Sequence, residues 1–90
     1  MKLSTKGRYS ARAMLDLAMH YNKGNIALKD VASRQGISVR YLERMMGSLV
    51  SAGLVRSARG QHGGFSLAKQ PEKIKLSHIV QAVEGSLAPV

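Results

Sequence analysis

A single glycine, Gly36, separates two stretches of helical periodicity, and that arrangement limits the fold more than any other feature of the chain. Before it, Leu28, Val31 and Ala32 recur on one side of residues 28–35. After it, Ile37 fills the corner and Ser38 offers a side-chain N-cap. Leu42, Met45, Met46 and Leu49 then form the apolar face of residues 39–52. Gly36 ends the first helix in the C′ position, and Gly53 stops the second. These are the parts of a helix-turn-helix.

The flanking segments extend this unit into a winged helix-turn-helix, mainly α with a small β-hairpin, occupying residues 1–90 as one domain. The first proline is Pro71, so everything before it can run through regular structure. Residues 8–22 read as a first helix, with Ser4 or Thr5 as its cap and Met14, Leu17, Ala18 and Tyr21 facing the core. Arg8, Arg12, Asp16 and His20 form a polar stripe, with Arg12 and Asp16 spaced for an i,i+4 pair. Leu15 and Met19 widen the apolar arc, as contact with a second subunit or a fully wrapped small bundle would require. Residues 23–27 read as a turn. Beyond Gly53 the period changes: Leu54–Arg59 and Phe65–Ala68 alternate like strands around Gly60-Gln61-His62-Gly63-Gly64, a wing over about 54–68. A last helix over about 77–84 places Leu76, Ile79, Val80 and Val83 inward, with Gly85 as its stop.

Charge narrows the choice of partner. The chain has 14 Lys+Arg against 5 Asp+Glu, a net charge of +9, and a polyanion is the most economical counterpart because phosphate neutralisation releases counterions. A membrane surface or an acidic protein also fits the charge. The second helix of the pair exposes Arg40, Glu43 and Arg44 near its N-terminal end, where base edges are reached. Arginine bonds guanine bidentately, and glutamate accepts from cytosine N4. Ser38 adds a hydroxyl and backbone N–H groups for a phosphate. An ordinary solvated face would carry the same trio. In the wing, Arg59 precedes the glycines and His62 sits at the tip. A cationic loop without bulky side chains suits a minor groove, although a plain hairpin also needs its glycines. Lys2, Lys6, Arg8 and Arg12 precede any acid, either as a phosphate clamp or as a solvated start.

Other chemistry is poorly represented. The absence of cysteine excludes disulfides, a thiolate nucleophile and any cysteine-ligated cluster within these residues. His20, His62 and His78 are too scattered for a metal set, and the carboxylates are too few for a paired acid/base site. Met14, Met19, Met45 and Met46 read as core filler. Gly60-x-x-Gly63 lacks the flanking helices of an RNA-binding KH loop and the Gly-Lys-Ser/Thr of a P-loop. No catalytic constellation is evident, so a non-enzyme is expected. A protein-interaction module or an RNA-binding winged helix is the alternative to a DNA binder. No apolar run approaches the ~20 residues of a membrane span. The N-terminus lacks the apolar core of a signal peptide, which predicts a cytoplasmic protein.

Met1–Tyr9, Ala13-Met14-Leu15-Asp16, Gln35-Gly36-Ile37-Ser38, Tyr41-Leu42-Glu43, Gly53-Leu54-Val55 and Arg59-Gly60-x-x-Gly63-Gly64-Phe65 together resemble the iron–sulfur cluster regulator (IscR-like) family of bacterial transcription factors. That family also includes the cysteine-metabolism repressor and nitrite-sensing repressors. The resemblance implies a dimeric winged-helix regulator, of repressor type, at a pseudo-palindromic double-stranded DNA operator of iron–sulfur, cysteine or redox-stress genes. In relatives, residues matching Ser38, position 40, Tyr41 and Glu43 act from the recognition helix, and with Arg44 from its exposed face the expected recognition-helix set is Ser38, Arg40, Tyr41, Glu43 and Arg44. The arginine matching Arg59 enters the minor groove in relatives; the expected wing set is Arg59, Gly60, Gln61 and His62, and the expected phosphate contacts are Lys2, Lys6, Arg8 and Tyr9. Arg40 stands where the cluster-assembly regulator has a small polar residue, and Phe65 where tyrosine is usual. Relatives continue into a sensor loop and a long dimerisation helix, so the chain reads as the DNA-binding part of a longer regulator. The homodimer is then expected for the full-length protein and weakened here. A 2Fe–2S cluster is implied only where cysteines follow Val90.

Overall fold

The helix-turn-helix is built by two end devices at its corner, seen in a computed structural model that describes residues 3–84. Helix α2 (Leu28–Gln35) ends at Gly36, whose φ of 65° is the left-handed conformation that glycine adopts without a Cβ penalty. Helix α3 (Val39–Ser51) starts at Ser38, whose Oγ accepts the Tyr41 N–H at 3.1 Å. Val31, Ile37, Leu42, Met45, Met46 and Leu49 are buried behind this corner.

Helix α1 (Thr5–Met19) is displaced toward the N-terminus relative to the expected 8–22. Ser4 caps it through Gly7 N–H at 3.0 Å, while its own hydroxyl donates to Glu84 at 2.7 Å. The helix stops early because the chain turns at Asn22 and Gly24, which have φ of 69° and 85°. Met19 is 70% exposed and Leu15 is 60% exposed. Met19 is therefore not core filler, whereas Met14, Met45 and Met46 are.

The hairpin pairs strand β1 (Val55–Ala58) antiparallel with strand β2 (Gly64–Leu67), from Val55 opposite Leu67 to Ala58 opposite Gly64. The segment expected to be a simple turn also joins in. Ile26 bridges Phe65, with both N–H···O bonds at 2.8 Å. At Gly64, φ is 147° and an added Cβ would strike the Ile26 carbonyl oxygen, so only glycine admits this close approach. A 3-10 turn (Pro71–Lys73) leads into helix α4 (Leu76–Val83), where His78 Nδ1 accepts the Lys75 N–H at 3.1 Å. Ile79 and Val83 are buried, Val80 is half-buried and Leu76 is 45% exposed. The expectation that Leu76 faces inward fails because it occupies the first position of α4, beside Leu15 and Ile74 in a surface cleft. Gly85 lies outside the described residues.

The largest departure from expectation is Asp16, which does not form a surface pair with Arg12. It is 2% exposed and accepts from Arg34 Nε at 3.0 Å, Arg34 Nη2 at 2.8 Å and Gln35 Nε2 at 2.9 Å. The polar stripe of α1 faces the C-terminal end of α2, where the helix dipole favours a cation. A guanidinium fork there satisfies a carboxylate bidentately. Arg12 bonds instead to the Gln35 carbonyl and to Gln35 Oε1.

The Arg34 hydrogen bond holds the Asp16 carboxyl below the usual carboxylate range, against the opposing effect of burial. Its stabilising contribution is therefore complete above the unfolded value of about 3.9 and is lost as pH falls through the lower folded value. Asp16→Asn should cost about 1–3 kcal/mol at neutral pH. It should also reduce the loss of stability between neutral pH and pH values below about 4. Urea denaturation of both proteins across that range measures both effects; parallel pH profiles would exclude Asp16 as their source.

Candidate nucleic-acid interface

Helix α3 turns Arg40, Glu43 and Arg44 outward, and all three are exposed. The reason is local: Leu42, Met45, Met46 and Leu49 take the inward positions, leaving the charged residues on the opposite face. Tyr41 is half-buried and meets the Tyr9 ring edge-on, with centroids 5.8 Å apart and planes at 81°. The Arg12 guanidinium stands 5.3 Å from the Tyr9 ring centroid. Tyr9 and Tyr41 thus form one aromatic contact joining α1 to α3. Ser38 is exposed, with its oxygen accepting from Tyr41 and its hydroxyl proton left to donate.

The start of α1 reaches the same face. Lys6 lines a cleft of about 210 Å³ with Tyr41, Arg44 and Ser48. Gly47, Ser48 and Ser51 continue from Arg44 as a shallow, small-residue groove. Arg8 is exposed but bonds at its own helix end, donating to the Leu3 carbonyl at 3.2 Å and to Thr5 Oγ1 at 3.5 Å. Lys2 lies outside the described residues.

Arg59, Gly60, Gln61 and His62 are all exposed at the hairpin tip. The tip is closed by Gly63 N–H bonding the Gly60 carbonyl at 3.0 Å. Asn25 Nδ2 donates to the His62 carbonyl at 3.2 Å, so the α1–α2 turn holds the wing as well as pairing with Phe65. Neither Asn25 nor Arg34 emerges from sequence periodicity. Their partners lie 37 and 18 positions away, and no local signal encodes such contacts.

Few acids oppose this surface. Asp16 is buried under Arg34, and Glu84 accepts from Ser4, leaving Glu43 as the acid on the exposed part of α3. In turn, the hydrogen bonds that Arg34 donates to Asp16 raise the pKa of the guanidinium. Among the described residues no helix is long and apolar enough to cross a membrane, and no three His, Asp or Glu side chains gather as metal ligands.

Comparison with known proteins identifies the family and the fold. The family described as "Iron-dependent Transcriptional regulator" (Rrf2) matches residues 3–90. The chain is 47% identical over 90 residues to Protein rrf2 of Nitratidesulfovibrio vulgaris, covering 100% of this chain and 60% of that protein. It is 46% identical over 87 residues to the HTH-type transcriptional regulator IscR of Aliivibrio salmonicida, covering 97% and 52% respectively. The structure of CymR, the global cysteine regulator of B. subtilis, superposes with a TM-score of 0.90 at 40% identity, covering 100% of this chain and 70% of that one. The chain thus spans 52–60% of the length of these two curated relatives.

Proposed function

As the chain belongs to the Rrf2 family of transcriptional regulators, which are not enzymes, we propose that it binds double-stranded DNA sequence-specifically and represses transcription from a pseudo-palindromic operator. The observation that carries this reading is the exposed cationic face of α3, with Arg40 and Arg44 one helical turn apart and Lys6 brought beside Arg44 from α1.

In this reading α3 enters the major groove with Arg40, Glu43 and Arg44 at base edges. Ser38 and Tyr41 serve its N-terminal end, while Lys6, Arg8 and Tyr9, with Lys2 preceding them, serve the phosphates. The wing lays Arg59 into the adjacent minor groove, with Gly60, Gln61 and His62 passing close to the backbone. Two such units, joined as a homodimer in the full-length protein, read the two halves of the operator. Its regulated genes, in this reading, are those of iron–sulfur, cysteine or redox-stress metabolism, with support from the likeness to CymR, titled the global cysteine regulator of B. subtilis. The family description invokes iron, but these 90 residues contain no cysteine and the described ones no ligand cluster. They do not fit a 2Fe–2S cluster.

Arg40→Ala should weaken binding to a selected operator by about 1–3 kcal/mol and relax discrimination at one base position. Fluorescence anisotropy against operator and random duplex checks this, and equal loss on both would remove base reading from Arg40. Arg59→Ala should weaken binding most where A·T pairs flank the half-site, and a series of duplexes varying only those flanks reads the difference. Affinity should fall steeply with salt, as several released counterions require. A nearly flat response in the same assay, or a preference for duplex RNA or an acidic protein competitor, would turn the reading toward the other partners.

A further inference from the structure

We propose that a second concave site, lined by the α1–α2 turn and the hairpin and by no residue of α3, binds a small oxyanion carrying an apolar group. A cleft of about 370 Å³ opens between the α1–α2 turn and the hairpin. That volume lies within the ~300–1,000 Å³ range of small-molecule sites. Its floor is Leu17 and Leu67, both buried, beside the half-buried Tyr21. Around it stand His20, Asn22, Asn25, Arg56, Lys69 and Gln70, and no lining residue is an acid.

The donors are available. Among the described residues the ion pairs are those of Arg34 and His20, both on Asp16, so Arg56 and Lys69 are in none. The amide of Gln70 and the guanidinium of Arg56 supply planar N–H groups, and Lys69 supplies a point charge, a donor set suited to carboxylate or phosphate oxygens. No α3 residue lines the cleft, which separates it from the recognition face. The apolar floor calls for a ligand with a hydrophobic portion, which a bare ion lacks.

The position gives occupancy a consequence. Asn25 and Ile26, in the cleft wall, are the residues that hold His62 and Phe65 of the wing. His20, on the rim, bonds the Asp16 carbonyl at 2.7 Å, next to the Asp16–Arg34 pair that joins α1 to α2. Where a ligand here changes the affinity of the wing for DNA, DNA changes that of the ligand by the same factor.

The test is a nuclear magnetic resonance titration of the chain without DNA, using inorganic phosphate, succinate and phenyl phosphate as probes. Saturable shifts are expected at the side-chain amides of Asn22, Asn25 and Gln70, tightest for phenyl phosphate because of the floor. Arg56→Ala/Lys69→Ala, at exposed positions, should raise the dissociation constant about 10-fold or more. Lys29→Ala/Lys73→Ala, with the same loss of charge away from the cleft, should leave it unchanged. The absence of saturable shifts, or equal weakening by both double variants, would overturn the proposal. So would loss of random-duplex affinity in Arg56→Ala/Lys69→Ala with no response to the small anions, since the cleft would then belong to the DNA backbone contact. The small-anion titrations contain no DNA, so their failure leaves the reading of α3 intact.

Discussion

The buried carboxylate of Asp16 is the interaction on which the placement of the recognition helix depends. Burying a charge costs several kcal/mol unless it is paired and its lone pairs are met. Here Arg34 supplies two hydrogen bonds, Gln35 a third, and among the described residues no buried side-chain polar atom is left without a partner. Arg34 keeps 42% of its side chain exposed, so one partner remains hydrated while the other is desolvated. The cost of the buried ion is thereby reduced to one side of the pair. Gln35 directly precedes Gly36, and the pair therefore fastens α1 to the residue at which the chain turns toward α3.

Two further attachments complete the frame. Tyr9 packs edge-on against Tyr41, fixing α1 against the first turn of α3. Ser10, fully buried, donates to the Met45 sulfur at 2.9 Å from the same side of α1. The hairpin is tied by a different route, through Ile26 and Asn25 in the α1–α2 connection. One segment between two helices therefore sets the wing, while a carboxylate one turn earlier sets the helix-turn-helix. The two elements proposed to meet DNA share a single support, as simultaneous contact with neighbouring grooves requires.

Local physics made much of this legible from the residues. Gly36 and Ser38 announced the corner because a left-handed residue and a side-chain cap are short-range requirements. The wing was legible in the change from helical to alternating periodicity after Gly53. The candidate interface was legible in the same way, since the inward set Leu42, Met45, Met46 and Leu49 leaves Arg40, Glu43 and Arg44 outside. Element ends were less legible: α1 begins at Thr5, directly after its cap Ser4, and it stops where Asn22 reverses the chain.

The amino-acid order by itself determined the helix-turn-helix, the hairpin, the outward charges of α3 and the absence of thiolate ligands, because each follows from residues within a few positions of one another. The tertiary structure alone decided that Asp16 is buried rather than paired with Arg12, that Asn25 holds the wing, and that Leu76 stays in solvent. Arg56 and Lys69 likewise meet His20 around one cleft only once the chain is folded. Those outcomes depend on which helix faces which, and a contact between groups 18 or 37 positions apart leaves no period in the sequence to reveal it.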